Sequence, residues 1–397
     1  MTKQISFAFQ TEPRKGVSSP DEIHFDLDSF KDKNYLTHNF HPYPAKFVPQ
    51  IPRNVILALT DKSERILDIF CGSGTSLVEA SISGRHSIGL DVHPLACLVS
   101  RVKTMPLSDQ NIRQVLRILN QVESRLNHAK GRDSSIDNEP LYIPDFLNRE
   151  HWFKPGVLRE LALLRAIIWK TPDGPVLDFL KVAFSAIIVK VSNQDSDTRW
   201  VAVDKDLPQG AAIRAFVLKV QNMLKRIKEF KELSTASATV YEHSVTERFP
   251  IPSRSIDLVV TSPPYLNSFD YYLYHKLRLF WLGFDHYPVQ SKELGSRNKH
   301  CDKGEGIETY TAGIKAALAE TLRVLKPGKF LCVVIGDSIL KGKLIDMSYI
   351  YRSICEDAGF VFTRAFSYDQ RKYTTSFTRN LKDVFKQSHI IFFRRPA

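Results

Sequence analysis

Between residues 64 and 92 the chain reads ERILDIF, CGSGTSLVEASISG, RHSIGLDV, and this stretch constrains the fold more than any other. Two short runs rich in Ile and Leu fit buried strands, and the Gly-Ser-Gly between them opens a segment of helical character. A helix between two strands of one sheet carries the chain back to its starting edge, so the strands run parallel. The βαβ unit predicts an α/β fold, a Rossmann-like sheet with helices on both faces.

The alternation then pauses. Residues 103–235 are expected to form a mainly helical insertion: Ile112, Val115, Leu116, Leu119, Val122 and Leu126 follow helical spacing. Further helices are predicted over 156–170, 176–192 and 210–232, the last with Phe216, Leu224 and Ile227 facing inward. Sheet-type runs resume at ATVYEHS (238–244), IDLVV (256–260), KFLCVVIGD (329–337), FVFTRAFSY (360–368) and HIIFFRR (389–395). Helices are expected over 311–325 and near 346–358. The resulting organisation is an arm at 1–34, an α/β portion at 35–102 and 236–397, and the insertion at 103–235.

Charge and cysteine usage narrow the function classes. Lys and Arg number 55 against 43 Asp and Glu, a formal charge of +12 that favours an anionic partner. Residues 361–397 hold Arg364, Arg371, Lys372, Arg379, Lys382, Lys386, Arg394 and Arg395 against Asp369 and Asp383. Such a cluster fits either a solvated face or a phosphate-contacting surface. The five cysteines include no CxxC pair, so neither a disulfide framework nor a zinc site is suggested, and no metal is expected. No apolar run reaches the ~18 residues of a membrane span, and the opening MTKQISFAFQTEPRK lacks a signal-peptide core; a cytoplasmic protein is expected.

In LDIFCGSGTSLVEA, Gly72 and Gly74 let the backbone approach a ligand at the carboxyl end of the first strand, where open α/β sheets bind ligands. Asp91 ends the second strand about twenty residues past the turn, placed to accept both hydroxyls of a ribose. Asp68 beside the turn suits an amine-bearing ligand better than a pyrophosphate. S-adenosylmethionine carries an amine, a sulfonium and a ribose, and no phosphate. Taken alone, the turn also fits a purely structural bend or a dinucleotide-binding dehydrogenase.

TSPPY at 261–265 follows the apolar IDLVV. Two consecutive prolines lock the backbone directly after a strand. An exocyclic base amine is a poor nucleophile because its lone pair is delocalised into the ring. The Ser262 hydroxyl and the carbonyl of Pro263 can accept its N–H bonds and hold it in line with a methyl donor. Tyr265 is expected to stack on a base extruded from its helix.

With these residues in view, the chain resembles the S-adenosylmethionine-dependent DNA methyltransferases that modify exocyclic amines. The resemblance rests on HPYPAKF (41–47), LDIFCGSGTSLVEA, LDV and TSPPY in that order. It covers about residues 35–100 and 239–397. It implies a methyltransferase sheet, S-adenosylmethionine as cofactor and double-stranded DNA as partner. Asp68, Phe70, Gly72, Gly74 and Thr75 would line the methionine side, with Lys46 and Phe47 flanking, Asp91 would hold the ribose, and Ser244, beside His243, would lie near the adenine. Ser262, Pro263, Pro264 and Tyr265 would hold the target base.

The serine form of the tetrapeptide is similar to that of enzymes acting on cytosine N4, while Asp or Asn forms mark adenine N6 enzymes. Cytosine N4 is therefore the expected target, in a restriction–modification system with a nuclease acting on the same site; adenine N6 or a base in RNA is the alternative. No Pro-Cys dipeptide occurs, so the cysteine nucleophile of C5 methylation has no candidate. The insertion precedes the third strand instead of following it, which leaves the DNA-reading segment open, with 103–235 as the candidate.

Three further stretches have two readings each. Tyr271, Tyr272, Tyr274, Phe280 and Trp281 fit a core stripe better than a base-stacking platform. LGSRNKHCDKGEGIETY (294–310) fits a groove-entering loop or an ordinary surface loop. SNQDSDTRW (192–200) fits a capped helix end or a DNA contact.

Overall fold

The computed structural model describes residues 19–26, 33–128, 141–300, 304, 306–369 and 386–397. Arg371, Lys372, Arg379 and Lys382 lie outside the described residues, as do Cys301 and most of the N-terminal arm.

One sheet organises the chain: β1 (Arg65–Asp68), β2 (His86–Asp91), β3 (Ala238–Glu242), β4 (Ile256–Thr261), β5 (Leu325–Gly336), β6 (Val361–Asp369) and β7 (Gln387–Arg394). Their spatial order is β6-β7-β5-β4-β1-β2-β3. All neighbours run parallel except β7, which is antiparallel to both β5 and β6. The α/β reading is thereby met, with strands shorter than ERILDIF and RHSIGLDV suggested.

Period-two alternation builds both faces of the sheet. Ile66, Leu258, Val260, Cys332, Val334, Ile390 and Phe392 pack on one side against Val55, Ile56 and Leu59 of the helix Gln50–Leu59. Leu67, Val259, Leu331, Val333, Ile335, Ile391 and Phe393 pack on the other against Ile314, Leu318 and Ile354 of the helices Ile307–Val324 and Met347–Asp357. Because β4 is covered on both sides, all six of its residues are buried and its sequence is continuously apolar except for Asp257 and Thr261.

The segment between β2 and β3 is mainly helical, with long helices at Asp109–His128, Pro155–Ile168, Pro175–Val191 and Ala211–Leu233. Phe216, Leu224 and Ile227 are buried on the last of these. Their core is not separate: it runs on into Val78 of the helix Thr75–Ile82 and into Leu95, Leu98, Val99 and Val102. Those four belong to a helix, Pro94–Thr104, that the sequence reading passed over although its apolar residues keep helical spacing.

SNQDSDTRW begins as a capped helix end, one of its two readings, with Ser192 as the C-cap. The preceding helix ends at Val191, and the stretch forms an antiparallel hairpin, Gln194–Ser196 with Arg199–Ala202. Two of its polar side chains make contacts within the protein: Asp197 pairs with the fully buried Arg278, and the Gln194 side-chain amide donates to the Tyr274 carbonyl. Among the described residues no helix is long and apolar enough to cross a membrane.

Candidate active site

The strand order reverses between β1 and β4, and a cleft opens at the carboxyl ends of β1, β2 and β4. This is where an open α/β sheet leaves a crevice between connections that depart to opposite sides. Lys46, Phe47, Asp68, Phe70, Gly72, Thr75, Asp91, Ser244, Ser262 and Pro264 all line it. Residues from distant parts of the chain thus meet in one cavity.

Asp68 ends β1 and is 2% exposed. Its Oδ1 accepts from Thr261 Oγ1 at 2.7 Å and from the Phe70 amide at 3.1 Å, and its Oδ2 accepts from Ser76 Oγ at 2.7 Å. Burial pushes its carboxyl up to about 6 against the pull of these donors. Asp91 ends β2 and braces the glycine turn: Oδ2 accepts from the Gly72 amide at 2.9 Å and Oδ1 from the His93 amide at 2.8 Å. Burial likewise raises Asp91 to about 6.

Gly74 does not line the cleft. It has φ +74° at the start of the helix Thr75–Ile82, and a Cβ there would stand 2.8 Å from Ser100 Oγ and 3.0 Å from Ser100 Cα. Its smallness serves the packing of that helix start on Pro94–Thr104, not approach to a ligand. Pro263 and Tyr265 are also absent from the lining. The Tyr265 hydroxyl interacts with the side chains of Ser262 and Ser388. His243 packs edge-on against Phe249 outside the lining, and its neighbour Ser244 bonds Thr246 Oγ1 at 2.8 Å on the wall.

Several wall residues escaped the sequence reading. Tyr43, within the quoted HPYPAKF, stacks on Tyr271 with ring centres 5.7 Å apart and planes at 25°. Tyr272, Tyr274 and Trp281 are core residues as the aromatic spacing suggested, whereas Tyr271 faces the cleft. Leu294 and Glu293, at the edge of the segment read as a loop, also reach the wall, and Arg297–His300 form a short helix there. Glu293 accepts from the Tyr271 amide at 2.7 Å, and burial lifts its carboxyl to about 8. No periodicity announces such a residue. Cys71 lines the cleft with its thiol pushed well up by burial, the opposite of what a thiolate nucleophile needs.

Asp337, Asp346 and His389 place three ligand-type atoms within 4.8 Å of one another, outside the cleft lining. Both His389 ring nitrogens are engaged there, by Asp337 at 2.9 Å and Ser367 at 2.7 Å.

The cleft therefore offers carboxylates at one end and, beside the rigid prolines, a hydroxyl at the other, with no thiolate between them. The family model described as DNA methylase matches residues 10–101 and 256–395. The type II methyltransferase M.MvaI of Kocuria varians is 28% identical over 358 residues, covering 77% of this chain and 78% of that protein. M.BsoBI of Geobacillus stearothermophilus, also a type II methyltransferase, is 24% identical over 424 residues, covering 87% and 82%. A SAM-dependent methyltransferase structure from Methanosarcina mazei aligns over 90% of this chain and 99% of its own, at 10% identity and a TM-score of 0.34.

Proposed function

Because this chain belongs to the S-adenosylmethionine-dependent DNA methyltransferases that act on exocyclic amines, we propose that it methylates N4 of cytosine within a double-stranded recognition site. One observation carries this reading: Ser262 and Pro264 stand on the wall of the same cleft as Asp68 and Asp91. The donor set fits the cofactor. Two carboxylates suit an amine and a ribose.

Bound S-adenosylmethionine, the cofactor, supplies an electrophilic methyl group. Asp91, already anchored by two backbone amides, offers its remaining lone pairs to the ribose hydroxyls. Asp68 does the same for the amine. The Ser262 hydroxyl and the Pro263 carbonyl accept the two N–H bonds of the base amine, releasing its lone pair from the ring and aiming it along the line of displacement. The surplus proton then leaves the methylated amine for solvent, so no tuned base is needed.

The helical region 103–235 is the proposed target-recognition part; it lies wholly within the stretch 102–255 between the two matched segments. The type II methyltransferase relatives support a role in restriction–modification; a nuclease of the same site as partner and the cytoplasm as location complete the proposal.

The test is nucleoside mass spectrometry of DNA from cells expressing the protein. N4-methylcytosine is expected from the wild type and ~10²-fold less from Ser262→Ala, the cost of one preorganised polar contact. N6-methyladenine in its place would overturn the base assignment. Full activity of Ser262→Ala would overturn the mechanism.

A further inference from the structure

The segment Ser262-Pro263-Pro264-Tyr265 has an anchoring problem built into its chemistry. Neither proline has an N–H, so two consecutive residues can be held by the surrounding protein only through their carbonyls or by packing. On the proposed reading the Pro263 carbonyl is reserved for the base, and among the described residues no hydrogen bond to it occurs. The Pro264 carbonyl is the handle that remains. It is taken: Tyr310 Oη donates to it at 3.0 Å.

Tyr310 lies on the helix Ile307–Val324, and its hydroxyl is 2.8 Å from that of Tyr351 on Met347–Asp357. A phenol has one proton. Since Tyr310 gives its proton to Pro264, Tyr351 must donate to Tyr310, and the direction of the chain is settled as Tyr351 to Tyr310 to the Pro264 carbonyl. Both tyrosines are 1% exposed. In such surroundings successive hydrogen bonds polarise and stiffen one another.

A third element closes on the same point. Gly295, at φ +68°, sits so close that a Cβ would stand 3.1 Å from the Tyr265 carbonyl oxygen and 3.2 Å from the Tyr310 ring, while its own carbonyl accepts from the Asn267 amide at 2.9 Å. From the clamped peptide the Tyr265 side chain turns back to Ser262. Fixing Pro264 therefore fixes both ends of the catalytic segment.

We infer that Tyr310, supported by Tyr351, is a positioning residue for methyl transfer: it orients the Ser-Pro-Pro-Tyr segment by holding the Pro264 carbonyl and touches neither cofactor nor base. This rests on the proposal that the segment holds the target amine. Neither tyrosine lines the cleft.

The test uses the full chain, unmodified genomic DNA and S-adenosylmethionine with a labelled methyl group. Tyr310→Phe keeps the ring and deletes the donor. Its single-turnover rate with enzyme in excess should fall about tenfold, the scale of one ordinary hydrogen bond. Cofactor affinity by calorimetry and the DNA concentration giving half-maximal rate should stay at wild-type values. Tyr351→Phe leaves the bond to Pro264 and should cost only about two- to threefold.

A wild-type rate for Tyr310→Phe overturns the inference. So does a loss of rate matched by loss of cofactor affinity and thermal stability, which is the signature of a general structural role. Should Tyr310→Phe not fold, Tyr351→Phe decides: a lower rate at unchanged affinities supports the positioning role, and an unchanged rate overturns it. Ser262→Ala measured alongside separates the two levels. If it is active, the reading of the segment fails; if it is inactive while Tyr310→Phe is normal, only the clamp fails.

Discussion

The Asp68 carboxylate accepts the hydroxyl proton of Thr261 across 2.7 Å, tying the end of β1 to the residue immediately before Ser262. On the proposed reading, this one bond connects the cofactor side of the cleft to the base side, at the place where the strand order reverses.

Thr261→Val keeps the shape and deletes this donor. Thr261 is 1% exposed, so the Asp68 oxygen loses a partner that water cannot replace. The expected cost is about 1–3 kcal/mol, read as a lower denaturation midpoint at unchanged slope, with turnover reduced because Ser262 follows the strand end. An unchanged midpoint would show that the Phe70 amide alone satisfies that oxygen.

Cofactor affinity should depend on pH through Asp91. Ribose hydroxyls donate to the ionised carboxylate, and burial holds this group up at about 6. Protonation removes the acceptor, so affinity is full above that value and weakens as pH falls through it. Asp91→Ala should lose up to a few kcal/mol of binding and keep only the part of the profile owed to Asp68, which titrates in the same range. Calorimetry from pH 5 to 8 measures both; a flat wild-type profile would exclude the assignment.

Arg278 is fully buried and donates to the Ser185 carbonyl at 3.1 Å, to His275 Nδ1 at 3.0 Å and to Asp197. Asp197→Ala leaves that guanidinium buried without its counter-ion, at an expected cost of about 3 kcal/mol. Pairing it with Arg278→Met should recover part of the loss in urea unfolding. If the single variant is as stable as wild type, the ion pair is dispensable and the hairpin is free for another role.

How much of this was legible beforehand depends on the range of the interactions. The parallel sheet could be read because its determinants are local: β4 is apolar apart from Asp257 and Thr261, as suits a strand covered on both faces, and the glycine turn stands directly between β1 and the helix Thr75–Ile82. Ser262, Asp68 and Asp91 could be picked out because their residue types sit at strand ends. The helix Pro94–Thr104 is equally local in its spacing.

The sequence by itself determined the sheet, most of the helices and the chemical character of the cleft, because hydrophobic period, proline and glycine act within a few residues. Tertiary structure alone decided which way the side chains turn. Gly74 meets Ser100, Tyr265 turns toward Ser262 and Ser388, Asp197 pairs with Arg278, and Tyr310 reaches Pro264 from another helix. Each of these last contacts is set by the packing of elements distant in the chain, and a buried polar group takes whichever partner that packing brings within hydrogen-bond distance.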